Sequence, residues 1–311
     1  MTDSELAVRS EQTLQEERLI KLVLDGVTSP HSRRAYRTGL MHFFQWVKGH
    51  QIRPEFTKAL VQEYKSYLQE QKLSAATINL RLSTLRKLAA EMSDNGQLAG
   101  DIAQGISRAK GLKQAGERSG NWLVSQQANE LLRAPDPDTL RGLRDRAILA
   151  VLLSCGLRRA ELIWLRTEHL VQREGRWVFV DLVGKGNRTR TITVPANVKV
   201  AIDRWTSAAG VTAGSLFRPI NKGDVVSGTE IKDEKVIWNI VDRYARLTGL
   251  GPLAPHDLRR TCAKLCRKGG GNVEQIKFLL GHSSIQTTER YLGSTLDYQN
   301  AVNDGMGLEV E

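Results

Sequence analysis

The segment PHDLRRTC contains two residues that together could bind a phosphate group. His256 and Arg259 stand three positions apart, so a helix would place them next to each other on one face. Both side chains can donate charge-assisted hydrogen bonds to phosphate oxygens, and arginine can donate two in parallel. A histidine that caps a helix beside a surface arginine is an equally simple structural interpretation. The segment alone leaves both interpretations open.

A second arginine stands where a buried helix is expected to end. In CGLRRAEL, Gly156 should break that helix, and Arg158 and Arg159 should begin the next one. One guanidinium could then project from a rigid, partly buried junction. The simpler structural alternative is an ion pair between Arg158 and Glu161, three residues further on.

Two further segments each present one reactive side chain. In VGKGN, Lys185 stands between two glycines, which would let a hairpin tip approach a large ligand closely. In LLGHSSIQTTERYL, Ser283 and Gln286 predict a capping box for a helix that carries Tyr291, downstream of His282. An ordinary solubilising lysine and a tyrosine packed in the core are the structural alternatives.

The elements that must position these residues are mostly helices. Residues 177–183 and 189–194 are rich in β-branched side chains and flank the GKGN turn, which predicts a β-hairpin with Lys185 at its tip. Residues 143–153 form a strongly apolar run and predict a buried helix. Further helices are predicted from Ser125 to the PDPD sequence at 135–138, and over residues 198–205, 236–247, 258–268 and 272–280.

The first half of the chain predicts a separate helical domain. Its four helices are expected over residues 14–24, after Pro30 with Ser32 as the cap, around Leu60–Leu68, and after a cap at Ser74. The aromatic side chains of Tyr36, Phe43 and Phe44 fall on the apolar stripe and should pack in the core.

Basic side chains occupy other faces of these helices and are candidate contacts with an anionic partner: Arg33, Arg34, Arg37, Arg81, Arg86 and Lys87. The segment between Ser107 and Asn121 is rich in glycine and charge, and it predicts an exposed linker.

Length and charge favour a two-domain protein with a polyanionic partner. The chain has 311 residues, 45 of them Lys or Arg and 34 Asp or Glu, which gives a formal net charge of +11. Such a balance is typical of proteins that bind nucleic acid, although a charged soluble surface without that function is the alternative. The hydrophobic fraction of 41% excludes wholesale disorder.

Missing motifs exclude several function classes. The sequence has no GxxxxGK[ST] or GxGxxG fingerprint for nucleotides and no HExxH metalloprotease motif. A metal-dependent nuclease with clustered carboxylates stays open. The three cysteines are too few and too irregular for a disulfide framework, and Cys262 and Cys266 are interpreted as packed thiols rather than zinc ligands. No apolar run approaches the ~18 residues that cross a bilayer, and no signal peptide is apparent, so we expect a cytoplasmic protein without a membrane partner.

Taken together, GLRRAEL, GKGN, HDLRR and LGHSSIQTTERY resemble, in this order and spacing, the tyrosine recombinase family, which includes phage integrases and Xer-type resolvases. The resemblance covers most of residues 121–295. It implies a mostly α protein with a four-helix SAM-like core-binding domain at 13–108, a linker at 109–121, and an α+β catalytic domain with a small β-sheet and a C-terminal tail at 122–311. No extra arm-binding domain is apparent ahead of residue 13, which favours an Xer-like or transposon-type enzyme.

The resemblance also implies a mechanism. Tyr291 would be the nucleophile that joins DNA through a 3′-phosphotyrosine intermediate. The residues that complete the site would be Arg158, Lys185, His256, Arg259 and His282. No cofactor, metal ion or ATP would be needed. The family pattern selects Arg158 and Arg259 over their neighbours Arg159 and Arg260.

The implied partners are double-stranded DNA with a specific recombination site and other protomers, assembled as a tetramer on DNA. The tail would dock onto a neighbouring protomer or fold back on its own domain through Leu296, Val302, Met306, Leu308 and Val310.

Two other functions remain as alternatives. A type IB topoisomerase has a similar site but relaxes supercoils, and a sequence-specific DNA-binding regulator would need no nucleophile. Tyr298 is a rival nucleophile that lies outside the motif.

Overall fold

A computed structural model describes residues 3–50, 55–113, 121–184 and 189–292, with the backbone alone at 3–12, 31 and 290. The chain divides into two compact units, Met1–Gly116 and Glu117–Glu311. The predictions for Lys185, for Tyr298 and for the tail fall outside the described residues; the tail residues concerned are Leu296, Val302, Met306, Leu308 and Val310.

The described part of the first unit is helical. Its helices are α1 (Asp3–Asp25), α2 (Pro30–Gly49), α3 (Lys58–Glu70), α4 (Ala75–Asp94) and α5 (Gly100–Ser107). The four predicted helices are present, and α5 is an addition. The sequence did not indicate α5 because this short helix contains two glycines, which interrupt its apolar pattern.

The caps of the first unit agree with the sequence at one position and differ at another. Ser74 accepts a hydrogen bond from the Thr77 amide at the start of α4, as predicted. The predicted cap at Ser32 is wrong: Ser29 is the cap of α2, and its hydroxyl accepts from the Ser32 amide. Pro30 therefore occupies the first helical turn, where its missing N–H costs nothing.

The core of the first unit contains the aromatic residues assigned to it. Phe43 is 3% exposed and packs edge-on against the fully buried Tyr64. Tyr36 and Phe44 are partly buried against the same cluster. Their role is packing, which confirms the interpretation from the helical pattern.

The beginning of the expected linker is fixed to the first unit. Ala109 is only 4% exposed. The Asn79 side chain on α4 donates to the Leu112 carbonyl at 2.9 Å and accepts from the Leu112 amide at 2.7 Å. Arg108, Lys110, Gly111 and Lys113 are exposed, as expected of a linker, whereas Ala109 and Leu112 are held against the first unit. The glycine and charge content concealed a segment whose backbone is hydrogen-bonded to a helix.

The second unit is mostly helical and is organised around one buried helix. Its helices are α6 (Ser125–Arg133), α7 (Leu140–Cys155), α8 (Arg159–Ile163), α9 (Ala196–Ala208), α10 (Lys235–Leu247), α11 (Pro255–Lys268), α12 (Val273–Leu280) and α13 (Ile285–Leu292). The apolar α7 is buried along most of its length, as its composition predicts, and it packs against α9 and α11.

A small antiparallel sheet completes the second unit. Its strands β1 (Leu170–Arg173), β2 (Arg176–Val183) and β3 (Thr189–Thr193) follow each other in chain order. The β2–β3 pair is the predicted hairpin, whereas β1 was not predicted because it has only four residues, two of them polar. Within the described ranges, no helix is both long enough and apolar enough to cross a bilayer.

Candidate active site

Arg158 lies at the junction where α7 ends and α8 begins. Gly156 adopts the left-handed conformation that ends α7, with a φ of 59°. A β-carbon at this position would lie 2.7 Å from a Leu280 methyl group, so the close approach of α12 also requires glycine. The Arg158 guanidinium donates to Glu161 at 2.7 Å. The ion pair weighed as an alternative is thus present, and it holds the guanidinium at the junction.

Arg259 is a buried cation held by backbone carbonyls. Its side chain is 1% exposed, and its two terminal nitrogens donate to the carbonyls of Gly156 and Leu280. The Nε–H group has no hydrogen-bond partner in the described structure. Burial and the neighbouring charge of Arg158 lower the pKa of Arg259 to about 10, so it stays protonated at neutral pH. A buried cation with an unpaired donor is suited to bind an anion.

Tyr291 lies against two imidazoles. Its hydroxyl is hydrogen-bonded to Nε2 of His256. Its ring packs edge-on against both histidines, with centroids 5.3 Å from His256 and 4.8 Å from His282. Arg260 on α11 places its guanidinium 5.4 Å from the centroid of the Tyr291 ring. The tyrosine, both histidines and the α11 arginines are therefore in one cluster.

The helix that carries Tyr291 begins one residue later than the sequence indicated. α13 starts at Ile285, so Ser284 rather than Ser283 precedes it, and the hydroxyls of Ser284 and Thr287 are 3.4 Å apart. The buried Thr288 on the same helix lies with its Oγ1 3.0 Å from Nδ1 of His282. This contact fixes the imidazole beside the tyrosine ring.

Both histidines are held neutral at physiological pH. Burial, followed by the charges of Arg259 and Arg260, lowers the pKa of His256 below its ordinary value of 6.5. Burial and the charges of Arg259 and Arg158 lower the pKa of His282 to about 4. A neutral imidazole can accept a proton through one ring nitrogen and donate one through the other, whereas a charged one can only donate.

The lowered pKa of His282 predicts acid sensitivity of the fold. Between pH 6.5 and 4.5 the unfolded chain binds a proton at His282 that the folded protein does not bind, so the free energy of unfolding decreases as the pH falls. One such proton contributes at most about 1.4 kcal/mol per pH unit. Urea unfolding of the wild type and of His282→Gln at several pH values measures this slope, and the variant should have the flatter one. An unchanged slope in the variant would contradict the assignment.

The structure separates the paired arginines that the sequence left ambiguous. Arg159 is exposed and its guanidinium lies 3.7 Å from Glu234, whereas Arg158 turns towards Glu161 and the Gly281 carbonyl. On α11, Arg259 is buried. Arg260 is hydrogen-bonded to Asp257 at 3.4 Å and covers the tyrosine ring.

Sequence reasoning missed Arg190 as a member of this cluster. It lies on β3, is 11% exposed, and donates from both terminal nitrogens to the Glu161 carboxylate at 2.8 Å. Its position in RTRT alternates with threonines, which indicates a strand but gives no sign of an inward-facing cation.

Three of the six candidate DNA contacts in the first unit donate to a backbone carbonyl or a carboxylate there. Arg33 donates to the Leu24 carbonyl at 2.8 Å, and Arg86 donates to the Ala109 carbonyl. Lys87 forms an ion pair of 2.6 Å with the glutamate one helical turn later. The Arg86 contact joins α4 to the backbone just beyond α5, whereas the Lys87 pair lies within α4.

The other three candidates make no hydrogen bond to a backbone carbonyl and no ion pair among the described residues. The side chains of Arg34 and Arg37 are exposed and make no hydrogen bond or ion pair with another described residue. Arg81 lies with a terminal nitrogen 3.1 Å from the His42 ring, and His42 is hydrogen-bonded to Tyr64 at 2.7 Å.

No metal-binding cluster occurs in the part of the chain that the structure describes, which means that no three His, Cys, Asp or Glu side chains converge. Cys262 and Cys266 are free thiols, and Cys262 is buried in the interior as the sequence interpretation has it.

Comparison with known proteins identifies the family. The model of the phage integrase family matches residues 121–296, and the phage integrase N-terminal SAM-like domain matches residues 17–95. The chain therefore belongs to the phage integrase family. It is a tyrosine recombinase of the Xer and integrase type, and hence an enzyme.

The relatives cover almost the whole chain. Tyrosine recombinase XerC of Thermodesulfovibrio yellowstonii is 30% identical over 89% of this chain and 90% of its own length. Tyrosine recombinase XerD of Vibrio cholerae is 29% identical over 92% and 93%.

Solved structures have the same fold. The XerH recombinase bound to its difH substrate aligns with a TM-score of 0.66 and 16% identity, over 89% of this chain and 79% of that one. A lambda integrase dimer bound to a core site aligns with a TM-score of 0.66 and 16% identity, over 93% and 81%.

Proposed function

We propose that this protein is a site-specific recombinase that cleaves and rejoins double-stranded DNA through a 3′-phosphotyrosine at Tyr291. The observation that carries the proposal is the cluster itself: a tyrosine hydroxyl hydrogen-bonded to a neutral histidine, beside a buried arginine with an unpaired donor. This set supplies a nucleophile, a base and a cation for a phosphodiester without a further group.

The first step forms one bond and breaks one. The Tyr291 oxygen attacks phosphorus while its proton passes to Nε2 of His256, and the bond from phosphorus to the 5′-oxygen breaks. Lys185 is our candidate for the proton that the 5′-oxygen takes up. Because a phosphodiester is exchanged for another, the reverse reaction rejoins a strand without an external energy source.

Cations stabilise the charge that develops on the non-bridging oxygens. Arg158 and Arg259 would bind these oxygens through the donors that the backbone and Glu161 leave free. If the Thr288 hydroxyl donates to Nδ1 of His282, the proton of the neutral ring is on Nε2 and can be donated to phosphate as well.

The partners follow from the same proposal. Of the six candidate side chains in the first unit, the exposed Arg34 and Arg37 of α2 make no ion pair with a described residue, and they would contact the DNA backbone. The relatives include structures of recombinases on DNA substrates and a dimer on DNA. By analogy, several protomers would assemble on the recombination site.

The free thiols Cys155 and Cys262 fit a reducing compartment, the cytoplasm.

Covalent trapping tests the proposal. A target duplex is first selected by binding from a randomised pool, and is then prepared with a nick beside the scissile position so that the released strand end is lost. We expect an adduct in which the 3′-phosphate is attached to the peptide containing Tyr291, with a free 5′-hydroxyl. Attachment at Tyr298 would overturn the assignment of Tyr291 as the nucleophile. Binding without any adduct would indicate a DNA-binding regulator instead of a recombinase. Relaxation of plasmids without strand exchange would indicate a topoisomerase.

A further inference from the structure

Arg190 directs its guanidinium into the interior of the second unit. Its two terminal nitrogens donate to the two oxygens of Glu161, each at 2.8 Å. Its Nε donates to the Leu279 carbonyl at 3.3 Å. With all three nitrogens engaged inside the protein, Arg190 has an internal role on the same strand face as the buried Ile192, whereas the threonines of the strand are exposed.

Glu161 connects Arg190 to Arg158. The carboxylate is 3% exposed and accepts four hydrogen bonds, two from Arg190 and two from the amide and guanidinium of Arg158. Burial by itself would raise the pKa of Glu161, but the hydrogen bonds and charges of the two arginines lower it to about 2. The carboxylate is therefore ionised, and its position is fixed by Arg190 on one side and Arg158 on the other.

The same arginine also holds the end of α12. Three consecutive carbonyls there accept from three different arginines: Leu279 from Arg190, Leu280 from Arg259 and Gly281 from Arg158. The last carbonyls of a helix have no partner within the helix and carry its negative dipole end. The arginines satisfy these acceptors, and in doing so they are oriented relative to the segment that leads to α13.

The charge balance gives Arg190 a second effect. Arg158 and Glu161 alone would form a neutral pair, with little attraction for a phosphate. With Arg190 added, the group of three carries one net positive charge, because two cations share one carboxylate. Arg158 thereby keeps its electrostatic attraction for an anion although it is ion-paired.

We propose that Arg190 is a positioning residue of the recombinase: through Glu161 it orients Arg158 towards the scissile phosphate and keeps that arginine from being neutralised. This inference rests on the proposed function, but it concerns a residue that would not contact the DNA.

DNA with an uncharged scissile linkage can show whether Arg190 positions Arg158 or only stabilises the fold. We compare Arg190→Gln, Arg190→Lys and the wild type in single-turnover cleavage of the selected nicked duplex at saturating DNA. On the ordinary phosphate, Arg190→Gln should cleave about tenfold to a hundredfold more slowly than the wild type, the effect of one charge-assisted interaction. Arg190→Lys, which keeps the charge and a donor to Glu161, should lie between them.

The second duplex carries a methylphosphonate at the scissile position, which removes the charge that Arg158 would bind. On this duplex the ratio of wild-type to Arg190→Gln rates should shrink to a few-fold. A matched control is Arg146→Gln, since Arg146 on α7 donates only to the carbonyls of Arg133 and Pro135 among the described residues. The control should cleave both duplexes at the wild-type rate.

Each outcome decides the inference. Cleavage by Arg190→Gln at the wild-type rate would overturn it. An equal loss of rate on both duplexes would also overturn it, because Arg190 would then only stabilise the fold. Thermal unfolding shows whether Arg190→Gln is folded, and if it is not, Arg190→Lys provides the same comparison. Failure of the proposed function would appear differently, because the wild type itself would then form no adduct.

Discussion

Tyr291→Phe is expected to bind the target duplex as tightly as the wild type and to form no covalent adduct. The substitution removes only the hydroxyl oxygen, which is the atom that attacks phosphorus in the proposed reaction. The phenyl ring retains its edge-on contacts with His256 and His282, so the cluster should keep its shape. Gel electrophoresis under denaturing conditions measures the adduct, and a mobility-shift assay measures binding.

Tyr298→Phe is the matched control for this experiment. Tyr298 is the nearest tyrosine in the sequence, and the substitution removes the same atom. The control should form adduct at the wild-type level. Adduct formed by Tyr291→Phe at a normal rate would refute the nucleophile assignment, and loss in the Tyr298 variant alone would transfer the role to that residue.

Local spacing was enough to predict how individual elements present their side chains. The i, i+3 spacing of His256 and Arg259 on α11 and the glycine that ends α7 at residue 156 were both anticipated. The two interpretations offered for Arg158 turned out to be compatible. The ion pair with Glu161 exists, and it holds the arginine at the junction.

Contacts between distant elements could not be predicted from spacing. Arg190 is 29 residues from Glu161 and 89 from Leu279, and it meets them only because the sheet packs beside α8 and α12. A strand pattern shows which side chains alternate, but it does not show what the inward face meets. The pairing of Thr288 with His282 was hidden for the same reason, since a buried threonine in a helix resembles an ordinary core residue.

The family resemblance supplied what physical pattern alone left open. His256 and Tyr291 are 35 residues apart, on α11 and α13, and no periodicity joins them. Their meeting depends on α12 and on the left-handed turn at Gly281, where φ is 62°. In the first unit, where the resemblance rested on pattern rather than motif, the Ser32 cap was an error, and the hydrogen bonds that fix Leu112 to α4 were not foreseen.

Arg259→Gln is expected to reduce single-turnover cleavage by about two to four orders of magnitude. A guanidinium that makes two charge-assisted contacts with the transition state contributes about 1.5–3 kcal/mol through each, and every 1.4 kcal/mol corresponds to about tenfold in rate. Glutamine at this position keeps polar atoms but has no charge. DNA binding should change much less than the rate, because the wider interface supplies most of the affinity.

Folding must be separated from catalysis at this position. Arg259 also satisfies the carbonyls of Gly156 and Leu280, so the variant should lose about 1–3 kcal/mol of stability. Arg259→Lys retains a charge that can reach one of these acceptors, and it should be more stable while remaining slow, since a single ammonium cannot make two parallel contacts. Rates are therefore compared below the unfolding transition of each variant.

Arg260→Gln is the control that decides between the two neighbouring arginines. Arg260 is hydrogen-bonded to Asp257 and covers the Tyr291 ring, so its loss should slow cleavage by less than about tenfold. Burial distinguishes the two arginines. The guanidinium of Arg259 is buried in the interior, whereas that of Arg260 forms an ion pair with Asp257. An effect of Arg260→Gln as large as that of Arg259→Gln would mean that burial does not determine which guanidinium binds the phosphate.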